Sequence, residues 1–278
     1  MKIKVLEAKD ESMRFLLEDT APAFANALRR VLLSDVPKMA IEDVEFHLGP
    51  IRAEDGKEYE SVSPLFDEMI AHRLGLVPVP TDLALYNPRE TCPSCHGEGC
   101  PNCTIIYSLN KRGPGTVTSG DLEPIGDAKL RPRDPNIPIV KLGEGQAMLI
   151  YATAVLGSGK DHAKWQPTHG VGYRYDPVLK AGNKSLDALD PAVPYCTSHM
   201  ESSSGEEQTV ELPADCKVCR RFIEQYKVES VKVGSDPTRI VMSFETDGSL
   251  SSKDVLVAGL DILGKRFADL AAQASSLA

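Results

Sequence analysis

Hydrophobic spacing is sharpest between residues 20 and 35, where Phe24, Ala27, Leu28, Val31 and Leu32 recur at i, i+3, i+4, i+7 and i+8. That is the period of one helix face, and a stripe this wide must be buried. Thr20 is placed to cap the helix, Pro22 is tolerated in its first turn, and Pro37 closes it. The opposite side carries Asn26, Arg29, Arg30 and Leu33. A leucine beside two arginines is either an isolated surface apolar residue or a sign that the helix is used on both sides.

Period-2 patterns flank this helix. Ile3 to Leu6 and Arg14 to Leu17 predict a hairpin, and residues 40 to 48 predict a strand with Val44, Phe46 and Leu48 on one face. Ser63-Pro64 predicts the start of a second helix, with Leu65, Met69, Ile70 and Leu74 inward and His72 and Arg73 solvated. Proline and glycine crowd residues 110 to 145, which predicts turns and short strands. Gln146 to Val155 is apolar enough for a buried strand, whereas 156 to 195 shows no clear period. Ser202 to Glu207 predicts a loop and Cys216 to Tyr226 a short helix. Tyr226 to Val233 and Arg239 to Glu245 read as two strands joined by a turn at Ser235-Asp236-Pro237-Thr238. Near the C-terminus Ser251 and Asp254 resemble a capping box. Leu256, Leu260, Leu263, Phe267 and Leu270 then follow at spacings of 4, 3, 4 and 3, a heptad-like seam too short to stand alone and suited to packing on a sheet or a partner helix.

Strand-and-helix material at each end, with irregular material between, predicts one α/β layer built from both termini and interrupted by an insertion. The composition is that of an ordinary globular chain, 42% hydrophobic and 26% charged. No apolar run approaches the roughly 20 residues of a membrane span, and the N-terminus alternates like a strand, so a cytoplasmic location is expected. The net charge of −9 argues against a broad nucleic-acid-binding face. Seven cysteines in that compartment suggest metal sites or thiols rather than a disulfide framework.

Four of the cysteines form two Cys-x-x-Cys pairs, Cys92 with Cys95 and Cys100 with Cys103, separated by glycine-rich chain. Four thiolates complete a closed tetrahedral site, structural rather than catalytic because no position is left for water. Zinc is the first reading, with an iron–sulfur cluster or reactive dithiols as alternatives. The same spacing matches one zinc repeat of DnaJ-type chaperones, which string several together. Cys196, Cys216 and Cys219 form a second group, one ligand short of a four-cysteine cluster, with Phe222 three residues beyond Cys219. Inert thiols or a lost site stand against a live cluster there. Gly157-Ser-Gly159-Lys160-Asp161 invites a phosphate-loop reading, but that motif needs Gly at 154 and Ser or Thr at 161, where this chain has Ala154 and Asp161. A structural or interface loop is the better reading.

Three longer stretches carry a resemblance. Phe24 to Pro37 followed by Ala40-Ile-Glu-Asp-Val44, Ala71-His-Arg-Leu-Gly-Leu-Val-Pro78, and Gly159-Lys-Asp-His-Ala-Lys-Trp-Gln-Pro167 are similar to the motifs of RNA polymerase α-like assembly subunits, in their archaeal form. The resemblance implies an α+β fold: a discontinuous dimerisation domain (1–45 plus 227–278), an inserted mostly-β domain with the four-cysteine knuckle (46–168), and a small ferredoxin-like domain (169–226). It implies a scaffold for DNA-directed RNA synthesis without an active site of its own. The chain would pair with small subunit L, dock subunits N and P, and nucleate the large catalytic subunits. Phe24, Leu28, Val31, Leu256, Leu260, Leu263 and Phe267 would serve the dimer, and Arg29, Arg30 and Leu33 a large subunit. Some members hold a 3Fe-4S or 4Fe-4S cluster, for which Cys196, Cys216 and Cys219 match three ligands. The rival class is a stand-alone metal or redox protein, supported by the cysteines alone.

Overall fold

The computed structural model of the chain describes residues 1–52, 56–182, 207–211 and 231–276. Cys196, Cys216, Cys219 and Phe222 lie outside these residues, as do the loop at 202–206 and the helix at 216–226 expected from the sequence. The described part is mixed α and β, mostly sheet with few helices. It divides into two compact units: Met1–Ala8, Ser12–Arg29 and Gly170–Phe244 form one, and Lys9–Glu11, Arg30–His169 and Glu245–Ala278 the other.

The first unit is built on an antiparallel hairpin of β1 (Lys2–Ala8) and β2 (Ser12–Glu18). The five-stranded sheet continues with β13 (Val231–Thr246), β11 (Thr168–Gly182) and β12 (Glu207–Glu211), in the order β1-β2-β13-β11-β12. Phe15 and Leu17 are fully enclosed, as are Ile240 and Met242. An ion triad crosses three neighbouring strands: Asp176 of β11, buried at 2% exposure, pairs with Arg239 of β13 at 3.2 Å, and Arg239 reaches Glu18 of β2 at 3.1 Å.

Two sequence expectations change here. The predicted turn at 235–238 is absent, and β13 runs through it as one strand. The carboxylate of Asp236 accepts from both the N–H (2.8 Å) and the hydroxyl (2.7 Å) of Thr238, so the polar residues satisfy each other without reversing the chain. β11 falls in a stretch without visible period: residues 169 to 175 are all half-buried or exposed and include Gly170 and Gly172.

Helix α1 (Pro22–Ser34) starts in the first unit and ends in the second. Its first turn hangs from the carbonyl of Ala21, so Pro22 takes the predicted first position while Thr20 lies outside the cap. Ala25, Leu28, Val31 and Leu32 are buried, and Phe24 and Ala27 are partly so. In the second unit, β3 (Pro37–Phe46) is the edge of a four-stranded sheet, followed by β10 (Ala147–Ser158), β6 (Thr104–Arg112) and β8 (Glu123–Pro124). Val44 and Phe46 are half-buried as the alternation predicts, but Leu48 lies past the strand and is 79% exposed. Two small ribbons accompany it, β4 (Pro50–Arg52) with β5 (Glu58–Glu60), and β7 (Gly115–Thr118) with β9 (Pro138–Leu142).

Helix α2 (Asp67–Gly75) begins later than Ser63-Pro64 suggests. The Ser63 hydroxyl bonds locally, donating to Leu65 O at 2.6 Å and accepting from Leu65 N–H at 3.3 Å, which holds a turn ahead of the helix. Ile70 and Leu74 join the main core with Tyr107, Leu109 and Ile150, whereas Met69 stays 46% exposed.

The end of α1 is where this unit converges. The Leu32 carbonyl accepts from the Thr168 hydroxyl at 2.7 Å, and the Ser34 carbonyl accepts from Lys160 N–H at 2.8 Å. These are carbonyls a helix C-terminus otherwise leaves without a partner. Gly159 has to be glycine because an added Cβ would stand 2.5 Å from the Leu33 carbonyl oxygen. Helix α3 (Ser252–Ser275) packs on the same end: a Cβ at Gly259 would meet Leu32 Cδ2 at 2.8 Å, and Arg266 donates to Asp35 at 2.9 Å. Lys38, 3% exposed, is paired with Asp247 just ahead of α3.

The expected cap of α3 forms, with Ser251 Oγ accepting from Asp254 N–H at 3.1 Å. The reciprocal arm differs from the usual box, because the Ser251 hydroxyl donates to the Asp254 carboxylate at 2.6 Å.

Gly159→Ala should therefore destabilise the chain by about 1–3 kcal/mol, since backbone atoms on both sides of the clash must move. Gly264→Ala, in open space on α3, should stabilise it by up to about 1 kcal/mol through helix propensity. Urea unfolding followed by the emission of Trp165, the chain's single tryptophan, measures both.

Candidate metal centre and assembly surfaces

The knuckle is a pair of tight turns. Cys92 closes a short 3₁₀ turn (Arg89–Thr91), and its carbonyl accepts from His96 N–H at 3.0 Å. The Cys100 carbonyl accepts from Cys103 N–H at 2.9 Å as the chain enters β6. Gly97 and Gly99 sit at φ +100° and +102°, a region that side chains strongly disfavour. His96 shares the left-handed side at φ 52°. Arg89 clamps the turn from below, donating to the carbonyls of Gly97 (3.1 Å) and Glu98 (3.3 Å) and pairing with Asp43 at 3.4 Å.

The result brings four sulfurs together. Cys92 and Cys100 Sγ are 3.7 Å apart, Cys95 and Cys103 3.5 Å, and Cys100 and Cys103 3.8 Å, with all four ligand atoms within 4.8 Å of one another. A tetrahedron of thiolates around a metal at about 2.3 Å has edges of about 3.8 Å, so the cage has the right size for an ion. Cys92 and Cys103 are buried, and Cys95 and Cys100 partly exposed. Among the described residues this is the one group of three or more potential ligands gathered in this way.

Their thiols differ in acidity. Burial pushes the Cys103 thiol up to about 12. Burial acts the same way on Cys95, but the N–H groups of Gly99 and Gly97, joined by neighbouring thiols, outweigh it and hold Cys95 down at about 6. A cluster that starts with one thiolate in place and backbone donors on sulfur is prepared for a cation. Because metal must displace protons from the remaining thiols, affinity falls as the pH is lowered toward 6.

The residues expected to meet partners fall into two sets. Leu28 and Val31, with exposures of 0 and 2%, and Leu256 and Leu263, with 8 and 6%, are consumed by the chain's own packing. Phe24, Arg29, Leu33 and Leu260 are half-buried and Arg30 is exposed. Arg29 is held toward its own helix by Asn26 Oδ1 at 3.0 and 3.2 Å. Phe267 and Leu270 stand 57 and 61% exposed, and every residue from 264 to 276 is exposed.

The glycine-rich loop at 157–160 makes no phosphate cradle. A Cβ at Gly157 would overlap the Trp165 ring, whose N–H donates to the Val155 carbonyl at 3.1 Å. Lys164 lies 4.4 Å from that ring and donates to the Ile41 carbonyl at 3.1 Å and to Glu42. The motif is a structural loop locked onto β3 and the end of α1. Its packing role was visible in the sequence only as the exclusion of another role. The ion triad around Asp176 had no sequence signal.

An α+β chain with a four-cysteine knuckle leading into a strand of its four-stranded sheet is of the insert-bearing assembly-subunit class. Residues 52–171 match the RNA polymerase Rpb3/RpoA insert domain. The chain is 43% identical to DNA-directed RNA polymerase subunit Rpo3 of Picrophilus torridus, over 96% of this chain and 97% of that protein. It is 44% identical to the Rpo3 subunit of Thermoplasma volcanium over 96 and 97%, and 33% identical to that of Pyrococcus furiosus over 96 and 94%. The chain belongs to the archaeal Rpo3 family of DNA-directed RNA polymerase subunits.

In metal-free protein at pH 7, iodoacetamide should alkylate Cys95 first and Cys103 last, and metal loading should protect both. Peptide mass spectrometry after timed labelling reads the order; Cys103 reacting before Cys95 would contradict it.

Proposed function

We propose that this chain is a non-catalytic scaffold of DNA-directed RNA polymerase that pairs with small subunit L and gathers subunits N and P and the large catalytic subunits. The observation that carries the reading is the outer half of α3. Thirteen consecutive exposed residues, 264 to 276, carry Phe267 and Leu270 with no apolar cover from the chain itself, although Arg266 pairs with Asp35. An isolated helical extension gains most of its stability from packing an apolar face, so this one calls for a partner. The half-buried Phe24 and Leu260 extend the apolar surface on offer, while Arg30 and Leu33 suit a large subunit. No described helix is long and apolar enough to cross a membrane, in keeping with a cytoplasmic assembly.

The proposed domain arrangement follows the family: a discontinuous dimerisation domain of 1–45 and 227–278, an inserted domain of 46–168, and a ferredoxin-like domain of 169–226. Zinc is the proposed ion of the knuckle. Four thiolates with no open position favour a structural, redox-inert cation, and the cage would tie the arm at 88–103 to β6. At the second group, Phe222 in place of a fourth thiolate leaves Cys196, Cys216 and Cys219 with at most a partial or vestigial cluster.

Phe267→Asp with Leu270→Asp should leave the chain folded, because both side chains are exposed, yet abolish co-purification of co-expressed subunit L. Full retention of L would place the dimer contact elsewhere. Arg29→Ala with Arg30→Ala should keep the pair with L and lose the large subunits, as read by native mass spectrometry.

Metal analysis should find about one zinc per chain, lost in Cys95→Ser/Cys100→Ser. Brown protein with about three or four irons per chain, lost in Cys216→Ser, would overturn the reading of the second group.

A further inference from the structure

One cavity of the second unit has no part in the reading above. It has a volume of about 470 Å³ and lies between the chain entering the knuckle and the 157–165 loop. Its floor is apolar: Val155 and Trp165, 8 and 9% exposed, with the half-buried Pro37 and the exposed Pro88 beside them. Its rim is acidic, with the exposed carboxylates of Glu90 and Asp161.

Two cations beside the groove, Arg89 and Lys164, are engaged elsewhere. Arg89 is taken by Asp43 and the knuckle carbonyls, and Lys164 by Glu42, the Ile41 carbonyl and the Trp165 ring. Asp161 accepts only the neutral Ser158 hydroxyl at 2.7 Å, and no ion-pair partner of Glu90 is found among the described residues. The groove therefore presents an apolar floor under two carboxylates that have no ion-pair partner among the described residues. An apolar centre inside a charged rim is the anatomy of a protein interface.

The size admits one or two side chains rather than a whole helix, and no buried polar group is aimed into the groove to orient a small polar ligand. We propose that this groove is a docking site for another polymerase subunit, which inserts a segment with an aliphatic side chain flanked by lysine or arginine. The proposal rests on the scaffold reading and adds a contact that the α3 surface does not supply. Aliphatic atoms would cover Val155 and Trp165 while the flanking cations meet Glu90 and Asp161. The complementary charges would set register and association rate more than affinity.

The test uses polymerase assembled around the full chain carrying the photocrosslinker benzoylphenylalanine in place of Glu90. The expected product joins the chain to one other subunit, at an aliphatic stretch flanked by lysine or arginine. In Glu90→Lys/Asp161→Lys polymerase, that subunit should be recovered at least about tenfold less, since like charges would face each other across the contact. The emission of Trp165 should stay unchanged, showing that the groove is intact. A cross-link to an acidic or uncharged segment, a cross-link to nucleic acid, or no intermolecular product from an otherwise complete polymerase overturns the groove alone. A chain that purifies with no polymerase subunit overturns the scaffold reading together with it.

Discussion

The end of helix α1 is the constraint on which the second unit depends. Within the span from Leu32 to Val36, two carbonyls are capped by Lys160 and Thr168, one carboxylate is held by Arg266, and Leu32 and Val36 lie under Gly259. Each contact is individually modest: a neutral hydrogen bond contributes about 0.5–1.5 kcal/mol net. Their effect comes from convergence. Chain segments more than 200 residues apart in sequence meet at the end of this one helix. Two glycines make the approach possible, because a single added carbon at either would collide with the helix or its leucine.

This arrangement explains how one helix can serve both fold and assembly. Leu28, Val31 and Leu32 are already enclosed within the chain, so a partner need not supply their cover. The stripe that gives α1 its strong sequence pattern is the chain's own core, and the surface left for partners is the quieter side of α1 and the far half of α3. The two halves of α3 differ in kind: the first, through Leu263, is seated in the core, and the second is tied by the Arg266–Asp35 pair with its apolar side chains left bare. The knuckle follows the same logic on a smaller scale. It has almost no apolar content of its own, and the gathering of four sulfurs by glycine turns and Arg89 prepares a site where a metal can replace a core.

What was legible in the sequence follows from where the signal is periodic or chemical. The hairpin, α1, β10, α3 and the four-cysteine cage were all readable, the first four by hydrophobic period and the last by ligand spacing. Strand β11 was not, because residues 169 to 175 are all half-buried or exposed and have no alternation to show. The turn at 235–238 was misread because Asp, Pro and Thr carry the same local preferences whether or not the chain reverses. The seam of α3 was read as uniform, yet its period cannot tell leucines that meet α1 from those left bare; Leu256 and Leu263 are buried, and Leu270 is not. The triad of Asp176, Arg239 and Glu18 depends on strand order, which no local pattern encodes.

The central claim is that the apolar stripe of α1 is spent within the chain while the outer half of α3 waits for a partner. Hydrogen–deuterium exchange of the chain alone and in the assembled polymerase tests it most directly. Residues 264–276 should exchange rapidly in the free chain and gain strong protection on assembly, with residues 28–36 slow in both states. Fast exchange at 28–36 in the free chain, with protection appearing there on assembly and none gained at 264–276, would contradict the account.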